Sequence, residues 1–237
     1  MAVDDAAVSG MERALRGKRR AFTEISIAYG LILLVIWTPR PLQRWLWWVA
    51  AAAVVILTIV SWDGLDAMGL RRKNFFRSLW IVGAALIVAL VAGLIAAGLH
   101  TLQLRGGLVW LLKNFWVYAI WSGVQQFLLL CFFLPRILRL IPNERLAALA
   151  TAGLFALAHL PNPILATATI VWGIVACLVF LRYRNLYPLA LAHAILGIMI
   201  AVTIPGTVDH NMRVGLGYLT YNPDGVYSHT HWKHEAE

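Results

Sequence analysis

Two histidines, His159 and His193, lie in long apolar runs: Leu-Phe-Ala-Leu-Ala-His-Leu-Pro-Asn-Pro and Pro-Leu-Ala-Leu-Ala-His-Ala-Ile-Leu-Gly. Each is the one ionisable group of its run. A glutamine pair, Gln125 and Gln126, interrupts a third run. A lone buried histidine is commonly a hydrogen-bonded core residue. Two on neighbouring helices, with a polar pair on a third, can form a metal or proton-transfer site, with a divalent metal such as zinc as cofactor. Adjacent helical residues point about 100° apart, so Gln125 and Gln126 cannot both face one partner. One can face a polar interior while the other bonds a neighbouring helix, and helix–helix glue is the simpler role for a lone glutamine.

The elements that must hold these groups are membrane helices. Of the 237 residues, 61% are hydrophobic and 13% charged, against roughly 45–50% and about 25% in an ordinary soluble domain. That excludes disorder and predicts an all-α, polytopic integral membrane bundle. Apolar runs of near the ~20 residues that cross ~30 Å of hydrocarbon fall at about Phe22–Trp37, Trp45–Ser61, Ser78–His100, Leu108–Leu134, Leu146–Leu160, Ile164–Leu181 and Leu186–Pro205. They predict about seven transmembrane helices over 22–205. The first reads as a retained span, without the small-residue cleavage site of a leader. Residues 1–21 form a basic N-terminal segment and 206–237 a polar tail.

The net charge of +9 belongs to topology rather than to nucleic acid. With the N-terminus in the cytoplasm, most Lys and Arg fall in inside segments, including the cluster Arg13–Arg20 and the loop with Arg71, Arg72, Lys73 and Arg77. The C-terminus is then outside. Few outside positions are basic, Arg105 and Lys233 among them. Trp45, Trp47, Trp48 and Trp62 fit an interfacial belt, and the loop 62–77 an interfacial stretch facing headgroups. Glu24 is placed to reach the headgroups and Lys113 to snorkel. Cys131 and Cys177 are expected as buried thiols.

By depth along the helix axes, Gln125–Gln126 lie roughly 12–15 Å from the inner surface, His159 roughly 20 Å and His193 roughly 10 Å, which permits a shared site if the helices tilt. In the tail, His229, His231 and His234 read either as a divalent-metal tract or as an exposed polar end. The stretch from His210 through Tyr221 reads as an ordered segment able to fold back on the bundle mouth.

In their order along the chain these groups resemble the CPBP family of intramembrane metalloproteases, the Abi or CAAX-protease group that includes the Ras-converting prenyl-protein proteases. The resemblance covers about 62–205, from Met-Gly-Leu-Arg-Arg through the Gln125–Gln126 helix and Phe155-Ala-Leu-Ala-His159 to His193. The family's signatures are Glu-Glu-x-x-x-Arg, Phe-x-x-x-His and His-x-x-x-Asn. His159 and His193 match the two histidines, with Phe155 in place. Gln125 and Gln126 stand for the glutamates, Leu130 for the arginine and Gly197 for the asparagine. The resemblance implies metal-dependent peptide hydrolysis within the bilayer, with His159 and His193 as metal ligands, Gln125 and Gln126 at the catalytic positions, and a membrane-embedded peptide or lipidated substrate. A glutamine amide takes no proton from water at ordinary pH, so the substitutions imply equally a non-proteolytic scaffold or pseudoprotease. That alternative would bind a membrane peptide or an isoprenoid-like lipid. A third reading is an unrelated membrane protein whose two histidines relay protons.

Overall fold

The computed structural model describes residues 2–62, 64–104 and 107–222. All regular structure among them is helical. The order is α1 (Ala2–Ile36), α2 (Arg40–Val60), a short α3 (Phe75–Ser78), α4 (Trp80–Gly98), α5 (Gly107–Phe127), α6 (Leu134–Leu140), α7 (Glu144–Leu157), α8 (Pro163–Tyr183), α9 (Tyr187–Thr203), and two single turns, α10 (Gly206–Asp209) and α11 (Leu216–Leu219). A π-helical segment, Leu128–Phe133, joins α5 to α6 without a break.

Four helical stretches among the described residues are long and apolar enough to cross a membrane: Arg40–Val60, Phe75–Gly98, Val109–Leu140 and Pro163–Tyr183. α9 is a shorter apolar helix. The protein is an integral membrane protein whose apolar helix faces contact lipid. The remaining expected spans lie in α1, which carries Phe22–Trp37 in continuation of the basic segment, and in α7, which is 14 residues long. The seven expected runs are therefore all helical, but length and composition alone do not make each of them a crossing.

Local sequence sets the boundaries. Asn143 caps α7, its Oδ1 accepting from Arg145 N and Leu146 N, with Glu144 in the first turn. Asn162 caps α8 in the same way, ahead of Pro163. Arg184 ends α8 in the left-handed region, its N–H returning to Phe180 O.

Lipid gives helices no hydrophobic reason to associate, so close packing and polar ties must do it. α7 and α8 meet through small residues: a Cβ on Gly173 would lie 2.9 Å from the Ala152 Cβ. The π segment is buried along consecutive residues, with Leu130 and Phe132 fully so. A π turn takes an extra residue per turn, which swings positions inward that a regular helix would turn out to lipid.

The polar ties are long-range. Glu24 is more than a headgroup contact. It is buried, and its carboxylate accepts from Arg136 Nε at 2.7 Å, Arg20 Nε at 2.7 Å and Ser61 Oγ at 2.6 Å, joining α1, α6 and the end of α2. The Arg136 guanidinium also stands 3.6 Å over the Phe132 ring. A partner that neutralises Glu24 removes the reason for its side chain to seek water. The loop before α3 is likewise more than a headgroup contact. Asn185 Nδ2 donates to Arg71 O and Lys73 O, and Asn74 Nδ2 to Tyr183 O, pinning the loop under the α8–α9 turn. Arg72, Lys73 and Arg77 remain exposed. Cys131 and Cys177 are free, buried thiols. Lys113 is exposed, as a snorkelling side chain requires.

After α9 the chain folds back on the bundle. Asn162 Nδ2 donates to Asp209 O and Arg213 O, Gly215 N donates to Leu160 O, and His210 stacks on Tyr218 and Tyr221. The histidine tract His229, His231 and His234 lies outside the described residues, as do Arg105 and Lys233.

Candidate functional site: an intramembrane cavity with two histidines on its wall

α2 packs along α1, while α4 and α5 pack on α9. Between these groups lies a cavity of about 2030 Å³, walled mostly by apolar side chains. Drug-sized pockets run about 300–1,000 Å³, so there is room here for an extended apolar chain. Trp47 of α2 meets Trp121 of α5 across one side, ring centroids 6.2 Å apart.

His159 and His193 both reach this wall and share one aromatic neighbour. The Phe155 ring stands edge-on to His159 at 4.8 Å and to His193 at 5.8 Å. α7 ends at Leu157 and carries His159 just beyond its last turn. Trp172 of α8 flanks His193 from another side at 6.2 Å.

Each imidazole is held in one tautomer. His159 Nδ1 lies 2.7 Å from Phe155 O. A carbonyl only accepts, so Nδ1 carries the proton and Nε2 keeps its lone pair. His193 Nδ1 lies 2.9 Å from Gln126 Nε2. With the Gln126 amide turned this way its nitrogen donates, so Nδ1 is the acceptor and the neutral ring carries its proton on Nε2. The two rings thus present opposite characters, an acceptor at His159 and a donor at His193.

The glutamine pair divides as the 100° offset requires. Gln126 is fully buried and spans to α9, while Gln125 is half-buried and lines the cavity. Gln126 Oε1 and Trp172 Nε1 are buried without a hydrogen-bond partner among the described residues. Leu130, at the resembled arginine position, is fully buried in the core. The arginine of this region is Arg136, beyond the π segment and turned to Glu24.

A zinc centre takes three or four protein ligands. Among the described residues no three His, Cys, Asp or Glu side chains form a group that could hold a metal ion. Of the two imidazoles, only His159 has a ring nitrogen free to ligate, and Gln126 donates into the nitrogen that His193 would need. The donor set does not fit zinc.

Three further groups went unread in the sequence. Tyr118 lines the cavity from α5, and a Cβ on Gly197 would collide with its hydroxyl. Tyr118, Ser122, Gln125 and Gln126 follow an i, i+4, i+7, i+8 pattern, the signature of one helical face, and that pattern was the available signal. Trp172 left no such trace. Asp209, beyond α9, is buried on the same cavity wall. Its Oδ1 accepts from Asn211 N at 2.9 Å, while Oδ2 has no partner among the described residues. Burial pushes its carboxyl above the usual aspartate range, against the backbone N–H groups of Asn211 and Met212, which pull it down.

A family model described as type II CAAX prenyl endopeptidase Rce1-like matches residues 83–199. The matched stretch runs from α4 to near the end of α9. It holds Tyr118, the glutamine pair, Phe155, both histidines, Trp172 and Gly197, and leaves out Glu24 and Asp209. No curated protein and no solved structure matches the chain.

Proposed function

This chain belongs to the Rce1-like CAAX-protease family through residues 83–199, and from that premise we propose that it binds an isoprenoid-like or prenylated ligand in its intramembrane cavity without hydrolysing it. The observation that carries this reading is the hydrogen bond from Gln126 to His193. Hydrolysis of a peptide needs a group that takes a proton from water. An amide at 126 cannot take one, and by donating to Nδ1 it also fixes His193 as a proton-bearing donor. The same bond closes His193 to a metal. What is left is a large apolar chamber with a small neutral polar pole. Such a chamber recognises a long hydrocarbon chain by burial and its head group by a few hydrogen bonds.

One observation favours hydrolysis instead. His159 keeps a lone pair on Nε2 at the cavity wall, so an imidazole is available as a general base. A single experiment separates the two readings. The purified full chain, reconstituted in bilayer discs, is given a fluorescent farnesylated peptide. The expected result is saturable binding with the peptide recovered intact. Cleavage by the natural chain that disappears in His159→Ala would overturn the binding-only reading. In cells we expect the N-terminus on the cytoplasmic side, following the inside excess of Lys and Arg.

A further inference from the structure

Gly197 lies one helical turn after His193, so both project from the same face of α9 into the cavity. Nothing of the side chain at 197 is present to use that position. The space a Cβ would take is filled from α5. The Tyr118 hydroxyl sits directly over the Gly197 Cα, with ring atoms Cζ and Cε1 at 2.6 and 2.7 Å from where the Cβ would be. The glycine and the tyrosine are thus one steric unit. Any larger residue at 197 would expel the phenol, and the phenol puts a polar atom beside His193 that α9 cannot supply itself.

Packing alone asks only for the ring, since phenylalanine would fill the same gap. The hydroxyl adds a hydrogen-bond donor to the polar part of a mostly apolar wall, which already holds His159, His193 and Gln125. Within the protein the hydroxyl meets the Ser122 side chain, whose oxygen can donate to it, so the phenol proton stays available to a further acceptor. On α5 the residue shares a face with Ser122, whose hydroxyl bonds back to Tyr118 O at 2.9 Å, and with Gln125 on the cavity wall. The backbone of this turn is held, so the phenol is placed by its own helix as well as by α9.

We propose that Tyr118 is a specificity-determining residue: with Gly197 as its socket, its hydroxyl donates to an oxygen acceptor, such as a carbonyl, on the head group of the bound ligand beside His193. This rests on the binding function proposed above, and it narrows the ligand to an apolar chain that carries a hydrogen-bond acceptor at one end. A plain hydrocarbon of equal length is expected to bind through the chamber alone.

The test uses two probes on the full chain in bilayer discs: S-farnesyl-cysteine methyl ester, which offers a carbonyl, and farnesane, which offers no acceptor. In Tyr118→Phe the ester is expected to lose about five- to tenfold in affinity, the worth of one hydrogen bond, while farnesane binding stays unchanged. Gly197→Ala, which displaces the phenol, is expected to reproduce the loss of selectivity with the ring still present. Thermal unfolding of each variant separates folding from binding. Equal affinity of natural chain and Tyr118→Phe for the ester overturns the assignment, as does an equal loss for both probes. If the natural chain binds neither probe, the binding function itself fails, and this assignment with it.

Discussion

Gln126→Glu tests the site's logic at its centre. In the natural chain the amide of Gln126 donates to His193 Nδ1 over 2.9 Å inside the bundle. A buried neutral hydrogen bond is worth about 1–1.5 kcal/mol, so it biases the ring toward the Nε2–H tautomer by roughly tenfold, at ~1.4 kcal/mol per factor of ten. An ionised carboxylate in the same place only accepts, and charge-assisted bonds are about twice as strong. The bias should therefore invert, to roughly a hundredfold in favour of Nδ1–H. The assay is nitrogen NMR of protein labelled at histidine, with the His193 signals assigned by their loss in His193→Ala. The natural chain should show a bare, pyridine-like Nδ1, and Gln126→Glu a protonated, pyrrole-like Nδ1. A protonated Nδ1 in the natural chain would refute the reasoning, because Gln126 would then be accepting and Nε2 would be open. The inversion has a second readout. With Gln125→Glu added, two carboxylates join two imidazoles whose Nε2 atoms both carry lone pairs. Zinc content measured after dialysis should then rise from none to about one ion per chain. Peptide cleavage that emerges only in that double variant would establish the natural chain as a disabled enzyme.

Two further outcomes follow from the buried charges. Arg136→Leu removes the buried partner of Glu24 and leaves Arg20 and Ser61 on the carboxylate, so it should lower the thermal midpoint in detergent by the equivalent of about 1–3 kcal/mol; Glu24→Leu combined with Arg136→Leu should be less damaging than the single change, since neither buried charge remains. Asp209 acts through pH. Its folded carboxyl is raised by burial, so its protonated form stabilises the fold. That contribution is full below the unfolded aspartate value and is lost as pH rises through the folded one. Thermal midpoints across the acid range should fall with rising pH, and Asp209→Asn should remove that part of the slope.

The sequence was most legible where a physical signal is local. Composition and run length sufficed for an all-helical membrane bundle. Rarity of polar groups in apolar runs drew out His159, His193 and the glutamine pair, because each is conspicuous against its own neighbours. The ion pairs of Glu24 are illegible for the complementary reason. Its partner Arg136 is far away in sequence and follows the π segment, whose extra residue per turn has no signature in hydrophobic periodicity. Tyr118 was passed over because aromatic residues are ordinary in membrane helices. Its significance comes from Gly197, and a glycine advertises nothing about what fills its space. Asp209 lies in a polar stretch, where a carboxylate carries no information until the chain is seen to fold back and bury it.

α2 gives the cavity a property that belongs to neither protein nor ligand. It packs along α1 and turns Val49, Ile56 and Ile59 outward, so one wall of the chamber is braced largely by the acyl chains around it. At 1.5 Å per residue its 21 residues reach about 31 Å, close to the hydrocarbon thickness of a typical bilayer. In a thinner bilayer a helix of that length relieves hydrophobic mismatch by tilting. Tilt of α2 about its seam with α1 changes the separation between Trp47 and Trp121. On the binding function proposed above, the width of the chamber is expected to follow lipid chain length, and ligand affinity to follow the membrane that surrounds the protein.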